Sequence, residues 1–440
     1  MSGGRLRVLA LWLTDVVSIS LSWLVALFGY RAVGLGHYEY GVEFYCRFWP
    51  VLLVFTSVNA VFRLYHGNPF YPAAPVSPVE ELRRITASAA ITHLGVIAAL
   101  ALAYQSTEYY SRAVIIISGV LTAVFAQPLR DALRVFAKRF EILQIPVVFL
   151  GGGEAVDRAA DSICRDAHTG FRKSERSGIA VICRDIRLMK VEMPQLLKHY
   201  THIEFLPGAA TFPTYGAQAV SFGGMSGVEM VNQRLMKAQR IEKAMLDIAL
   251  SAFAFVLLLP FFVVVPLLVK ATSRGPVFYR QDRLGRNGAK IRVWKFRSMY
   301  ADADSRLKAI LDSDPVRKAE WEANFKLSDD PRITPLGKFL RKTSIDEFPQ
   351  LFNVFSGDMA LVGPRPIVES EIGHYADAYE TFSSVKPGIT GLWQVSGRSG
   401  TDYARRVALD VHYVLNWSPW MDIWIIRRTV AAVLFMRGAC

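Results

Sequence analysis

Apolar residues run almost without interruption through four segments of the first third of the chain, residues 9–30, 48–62, 85–104 and 113–129. Three approach the ~20 residues that a spanning helix needs, and the second is short. Arg5 and Arg7 ahead of the first segment would suit a signal peptide, but Asp15 interrupts it and further apolar segments follow, which favours a retained helix. Arg5, Arg7, Arg63, Arg83, Arg84, Arg130, Arg134, Lys138 and Arg139 fall on one side of an even-numbered bundle, and loop charge makes that side cytoplasmic. The remaining loops hold fewer basic residues (Arg31, Arg47 and Arg112), mixed with Glu39, Glu43 and Glu108. The pattern predicts a four-helix transmembrane domain over residues 1–143 that returns the chain to the cytoplasm.

The periodicity then changes. Residues 145–156, IPVVFLGGGEAV, read as a buried strand running into glycines and a helix, and later strand-like runs surround Ile179 and Ile203. This predicts a small Rossmann-like α/β domain over residues 144–235. Gly151 and Gly153 fit a dinucleotide fingerprint, but Val156 stands where its third small residue belongs, so a structural or regulatory role is favoured over dinucleotide binding. The apolar run over residues 245–269 is long enough to cross a bilayer, yet Pro260 and Pro266 interrupt it. Lys237, Arg240 and Lys243 precede it, and Lys270, Arg274 and Arg280 follow. A helix broken at Pro260 that enters and leaves by one face satisfies both basic flanks, whereas a fifth full span would leave one of them outside. A re-entrant membrane helix therefore opens a third domain, an α+β unit over residues 236–440.

Composition sharpens this picture. With 52% hydrophobic residues among 440, the chain is too apolar to be wholly soluble, and its net charge of +13 calls for an anionic partner. Phosphorylated substrate, lipid headgroups and nucleic acid are all open on charge alone. Cys46, Cys164, Cys183 and Cys440 are scattered without a CxxC pair, and no histidine spacing suits a metal.

Cations are densest over residues 274–297, where Arg274, Arg280, Arg283, Arg286, Lys290, Arg292, Lys295 and Arg297 face one acid, Asp282. Guanidinium and ammonium groups beside a membrane suit phosphate, and strand alternation puts Lys295 and Arg297 on one face. In the segment LRKTSIDEFPQLFNVF, Pro349 belongs in the first turn of a helix, which should begin near Asp346 to Phe348 with both carboxylates at its positive end. Ser344 and Glu347 also match a capping box, which leaves a purely structural role open. Arg341 and Lys342 upstream, and Arg365 between Pro364 and Pro366, suggest that acids and cations converge on one anionic ligand.

The segments GPVFYRQDRLGRNG, KFRSM, TSIDEFPQLFNV, LVGPRP and KPGITGLWQVSGR, in this order, resemble the monotopic phosphoglycosyl transferases, in particular their large members, the polyprenyl-phosphate hexose-1-phosphate transferases. Leu259 and Phe348 stand where serine and leucine are usual in that family. The resemblance implies that Asp346 is a nucleophile with Glu347 as partner, and that Mg2+ on the substrate diphosphate is contacted by Glu347. It implies phosphate binding by Lys295, Arg297, Arg341 and Arg365, with Pro364 and Pro366 shaping a nucleotide pocket. The implied partners are UDP-hexose, polyprenyl (undecaprenyl) phosphate and membrane lipid, with a homodimer plausible and no nucleic acid. The implied reaction gives polyprenyl-diphosphate-hexose and UMP at the cytoplasmic face of a bacterial inner membrane, as the first membrane step of exopolysaccharide, capsule or O-antigen assembly.

Two other readings compete. An anchored nucleotide-sugar oxidoreductase or epimerase would use the Gly151 region, but needs a complete fingerprint and a Tyr-x-x-x-Lys base, neither of which is evident. A catalytically idle scaffold would have no need of Asp346 and Glu347 among cations. Trp393 and Gln394 are equally suited to packing and to sugar contact. Trp417, Trp420 and Trp424 with Arg427 and Arg428 read as a helix at the headgroup boundary, with a core helix as the alternative.

Overall fold

The computed structural model describes residues 3–33, 49–66, 75–103, 111–151, 154–182, 196, 199–200, 202–205, 218–222, 225–229, 237–300, 302–314, 317–318, 330–396 and 402–434. Glu39, Glu43, Arg47, Glu108, Gly153, Cys46, Cys183 and Cys440, all invoked above, and Arg398, the last residue of the motif KPGITGLWQVSGR, lie outside the described residues. The chain divides into two compact units, Met1–Pro213 and Thr214–Cys440.

The first unit opens with helices α1 (Gly3–Ala32), α2 (Pro50–Val61), α3 (Pro78–Ala103) and α4 (Arg112–Arg139). Ser111 caps α4 by accepting from the Val114 N–H, and prolines start α2 and α3 where a missing N–H costs nothing. Of these helices, α1, α3 and α4 are long and apolar enough to cross a membrane. The described α2 has 12 residues, about 18 Å, short of a ~30 Å hydrocarbon layer. The bundle is apolar outside, with Leu13, Leu94 and Val120 exposed, and polar inside, with Asp15, Ser88, Ser118 and Arg130 fully buried. That distribution suits a lipid solvent.

Helix α4 continues a full ten residues beyond the apolar run, to Arg139, and so carries Arg130 and Arg134 into the interior. Arg130 Nε donates to Asp15 Oδ1 at 2.8 Å and Nη1 to Glu81 Oε1 at 2.9 Å, while Arg134 holds both oxygens of Glu81 at 2.7 Å. Tyr65 and Asn59 complete Asp15. Arg7 is also buried, donating to His66 Nε2 and to the His168 carbonyl. Three of the basic residues assigned above to a loop therefore pair inside the unit: buried carboxylates on α1 and α3 recruit Arg130 and Arg134, and His66 with backbone carbonyls holds Arg7.

A parallel sheet of order β2-β1-β3-β4 follows, made of β1 (Ile145–Leu150), β2 (Phe171–Lys173), β3 (Ile179–Ile182) and β4 (His202–Phe205), with α5 (Glu154–Arg165) after β1. Ile145, Val147, Phe171 and Val181 form its core, as the buried-strand pattern requires. The α/β expectation holds at this level.

The second unit contains the hairpin β5 (Gln218–Phe222) and β6 (Met225–Glu229), then α6 (Lys237–Thr272). Helix α6 has 36 residues and its winding continues through Pro260 and Pro266, so a change of direction at Pro260 would be a kink inside one helix and not a break between two. Its start is tied to the rest of the unit by Lys243 Nζ, which donates to Asp247 at 2.7 Å, Asp422 at 2.8 Å and the Val362 carbonyl at 2.9 Å. Its end packs Val265 and Val269 against Phe296, Leu340 and Ile345. Between these anchors Phe253, Val256, Leu257 and Val263 are exposed.

An antiparallel hairpin of β7 (Phe278–Leu284) and β8 (Lys290–Phe296) comes next, closed by Asn287 and Gly288, both at positive φ, as tight hairpin turns demand. Helix α7 (Ala303–Ser313) precedes α8 (Pro335–Thr343), which Thr334 caps through the Gly337 N–H at 2.9 Å. A 3-10 turn over Ile345–Gln350 leads into α9 (Leu351–Phe355). Strand β9 (Ala360–Val362) pairs in parallel with β10 (Gly388–Thr390), followed by α10 (Leu392–Ser396), α11 (Tyr403–Asn416) and α12 (Pro419–Leu434). Trp417 and Trp424 are buried and the Trp417 Nε1 donates to Asp422 at 3.0 Å, so for these two the core alternative applies, not the headgroup boundary. The Trp417 indole packs because Asp422 supplies an acceptor inside the unit, whereas the Trp424 ring packs under the Arg428 guanidinium, 5.0 Å from its centroid.

Candidate active site

Ser344, immediately before the 3-10 turn, sits at φ 57° and makes no side-chain cap bond. The Ser344 half of the capping box is therefore not formed, and Glu347 Oε1 accepts from Lys295 Nζ at 2.8 Å across from β8. Helical winding starts at Ile345, one residue before the expected range, and becomes α-helical only at Leu351 because Pro349 cannot donate within the turn.

Asp346 is buried, 7% exposed. Burial pushes its carboxyl up from 3.8 to about 6; neighbouring Lys295 and Arg341 oppose the rise, and the Glu347 charge adds to it. Arg341 donates from Nε to Ser298 Oγ at 2.9 Å, which keeps its guanidinium close enough to Asp346 to act on it.

Beside this pair lies an open cleft of about 330 Å³, lined by Gln281, Arg283, Val293, Lys295, Glu347, Gln350, Arg365, Pro366, Gly388, Ile389 and Gln394. The Arg365 backbone is fixed from both sides, after it by the Leu284 N–H, which donates to the Ile367 carbonyl at 2.9 Å, and before it by two bonds to β10. Gly388 donates to the Pro364 carbonyl at 2.8 Å and Gly363 to Thr390 O at 2.8 Å, and a Cβ at Gly388 would stand 2.0 Å from the Gly363 nitrogen. Arg365 guanidinium charge lowers the proton affinity of Arg283, the mark of two cations facing one space after burial has had the larger effect.

The structure thus puts Glu347, Lys295, Arg365 and Pro366 on the wall of the cleft, and Asp346, which does not line it, within reach of the charges of Lys295, Glu347 and Arg341. Pro364 is adjacent but contributes its carbonyl to β10, not a wall of the cleft. Arg297 differs. Its guanidinium donates to the Ser273 carbonyl at 2.8 Å and the Arg274 carbonyl at 3.0 Å, capping the end of α6 in place of lining the cleft. Strand β8 ends at Phe296, so the alternation that paired residues 295 and 297 no longer applies. Sequence reasoning missed Gln281 and Gln350, and counted Arg283 among the cations suited to phosphate without singling it out. The signal was present: on β7, residues 281 and 283 share a face, and Gln281 sits opposite Val293 in the hairpin, as Tyr279 does opposite Lys295.

As for metal, the cleft offers one partly exposed carboxylate, Glu347, beside the buried Asp346, and no thiolate or imidazole. An all-oxygen set with one or two carboxylates fits Mg2+ that arrives mainly on a diphosphate. Among the described residues, the one group of three close metal-ligating side chains is Glu81, Asp131 and His168 in the first unit, where Arg130 and Arg134 already neutralise Glu81.

Residues 238–436 match the sequence profile of the bacterial sugar transferases. An uncharacterized sugar transferase of Haemophilus influenzae is 30% identical over 98% of both chains. The chain belongs to the bacterial sugar transferase family. Within the family it is 42% identical to the undecaprenyl-phosphate galactose phosphotransferase of Salmonella typhimurium, over 56% of this chain and 52% of that protein. It is 44% identical to the exopolysaccharide production protein ExoY of Sinorhizobium fredii, over 45% of this chain and 88% of the relative. The chain therefore spans about half the length of the galactose phosphotransferase, and nearly all of the Haemophilus relative. The motif resemblance and the family assignment agree, and the matched stretch contains every residue of the cleft.

Proposed function

We propose that this protein transfers hexose 1-phosphate from UDP-hexose to polyprenyl phosphate, yielding polyprenyl-diphosphate-hexose and UMP through a covalent aspartyl intermediate. One observation carries the reading: two adjacent carboxylates, Asp346 and Glu347, adjoin a cleft whose other charged side chains, Arg283, Lys295 and Arg365, are all cations. Such a cleft suits a substrate with more negative charge than one carboxylate can balance.

In the first step an Asp346 oxygen attacks the sugar-bearing phosphorus of the donor. The bond from that phosphorus to the bridging oxygen breaks, and UMP leaves with the electron pair. In the second step a phosphate oxygen of the lipid attacks the same phosphorus and the acyl–phosphate bond breaks, restoring the Asp346 carboxylate. No net proton is needed. Lys295 and Arg341 favour the ionised nucleophile against the cost of its burial, and Arg283 and Arg365 suit the donor's phosphate oxygens. Mg2+, held by Glu347 and the diphosphate, would shield the substrate oxygens from the incoming anion.

The membrane reading rests on α6. A straight helix of 36 residues would be about 54 Å long, yet Lys243 near its start and Val269 near its end both contact the same unit, with exposed apolar side chains between them. This favours a re-entrant helix with the cleft at the cytoplasmic face of the inner membrane, where UDP-sugars are available, and a place at the first membrane step of exopolysaccharide, capsule or O-antigen assembly. The test is UMP release by purified protein with Mg2+, polyprenyl phosphate and a panel of UDP-sugars. Wild type should respond to one or two hexoses. Turnover by Asp346→Asn at the wild-type rate would end the covalent reading.

A further inference from the structure

Lys295 and Arg365 both face the cleft, yet they are held in opposite ways. Lys295 is neutralised by Glu347 at 2.8 Å. Arg365 has no carboxylate within ion-pair distance among the described residues; its guanidinium carbon lies 5.9 Å from the centroid of Trp393. Trp393 does not line the cleft. The same ring carries a second cation, Arg406, at 4.8 Å, which also stacks at 4.9 Å on Tyr403. Arg406 is balanced: its Nη1 lies 3.2 Å from Glu371 Oε2 and its Nε 4.0 Å from the buried Asp410. Tyr403 and Tyr375 fix those two acids, through hydrogen bonds of 2.9 Å to Glu371 and 2.8 Å to Asp410.

We propose that Trp393, seated by Arg406, is a positioning residue that holds the Arg365 guanidinium at the cleft without neutralising it, so that its full charge meets the donor diphosphate. An aromatic face attracts a guanidinium through its quadrupole and leaves the N–H donors in the guanidinium plane available to phosphate oxygens. A carboxylate would orient the same side chain but compete for those donors and cancel the charge. The acids lie one layer back, on Arg406, and Asp410 reaches Arg365 only through its charge, so the guanidinium's hydrogen-bond donors are left to the substrate. The inference rests on the proposed function for the identity of the anion.

The test is steady-state UMP release by the full-length protein, with Trp393→Leu, Trp393→Phe and Arg365→Gln alone and in combination. Loss of the ring should raise KM for UDP-hexose about 3- to 30-fold, with kcat within about twofold of wild type. Phenylalanine, with a weaker quadrupole, should give a rise of about 2- to 5-fold. In the Arg365→Gln background either Trp393 substitution should add almost nothing, because the partner is gone. A wild-type KM in Trp393→Leu, or an equal rise with and without Arg365, overturns the inference, since a merely structural role does not depend on Arg365. Should Trp393→Leu not fold, the same two outcomes are read from Trp393→Phe. A wild type that releases no UMP from any UDP-hexose would instead bring down the proposed function, which is a different result from an active wild type with an indifferent Trp393.

Discussion

Two clusters of charge, one in each unit, are built in opposite ways. In the first, Asp15, Glu81, Arg130 and Arg134 are all buried and each carboxylate is matched by arginine forks and polar neighbours. In the second, Lys295 and Glu347 are each about a quarter exposed, Arg283 and Arg365 face the same cleft, and Asp346 is buried with its proton affinity raised. A closed network has nothing left for a ligand, and its removal is felt in stability. An open set is poised for an anion, and its removal is felt in turnover. Charge count alone does not separate the two; who neutralises whom does.

The comparison breaks most visibly at Asp346. Asp346→Asn should lower UMP release by three orders of magnitude or more, as loss of a nucleophile does, and should at the same time stabilise the fold at neutral pH. The folded carboxyl titrates near 6 against 3.8 in a free chain, so its folded form favours the proton. The associated stability is present below pH 3.8 and lost as pH rises through about 6. At pH 7.5 the ionised group therefore costs up to roughly 3 kcal/mol, which asparagine removes. Thermal melts at pH 7.5 should show a higher midpoint for the variant, and melts at pH 4 should show little difference. A less stable variant at pH 7.5 would place Asp346 among the structural charges.

Arg130→Ala should do the reverse. It leaves Asp15 and Glu81 short of a partner inside the bundle, a loss of roughly 3–5 kcal/mol. Detergent-extracted protein should melt earlier or aggregate on size exclusion, while Lys295→Ala, at a partly exposed pair, should melt within about 1 kcal/mol of wild type and lose activity. If Arg130→Ala proved as stable as wild type, the closed network would not be structural.

These contrasts also mark what the sequence could reveal. Unbroken apolar runs announce α1, α3, α4 and α6 because lipid-facing helices need little polar punctuation, and the strand at residue 145 shows as β-branched and aromatic residues ahead of glycines. Asp346 and Glu347 are legible through their adjacency and Pro349. Arg130 and Arg134 are not, because a helix end and a cytoplasmic loop carry the same basic residues, and only the partners Asp15 and Glu81, 115 and 49 residues away from Arg130, distinguish them. Arg297 fails for a similar reason: where a strand ends decides which way its next side chain points. Arg283 and Gln281 follow from period-two alternation on β7, but only once the register against β8 is known.

A smaller effect sharpens the open side of the comparison. Arg283→Gln should raise KM for the UDP-sugar about 10- to 100-fold, the range of a charge-assisted bond to phosphate, with the melting midpoint unchanged or higher because Arg283 and Arg365 repel. A lower midpoint with unchanged KM would move Arg283 to the structural class.

The least of these effects is a pH limb, and it tests whether burial of Asp346 is felt in the chemistry. The nucleophile must be ionised, and its carboxyl titrates near 6 in the folded protein. The UMP burst should therefore fall to half near pH 6 and decline about tenfold per unit below it. The measurement is made without lipid acceptor, because the acceptor is a phosphomonoester whose own second ionisation lies near 6, whereas the donor's diphosphate diester has no ionisation there. Lys295→Ala removes the positive charge that most opposes the rise. Whatever burst survives in that variant should show the limb moved to higher pH. A limb near 4 in wild type would mean that Asp346 is hydrated when it reacts, and that the burial separating it from an ordinary surface carboxylate is lost before the donor is attacked.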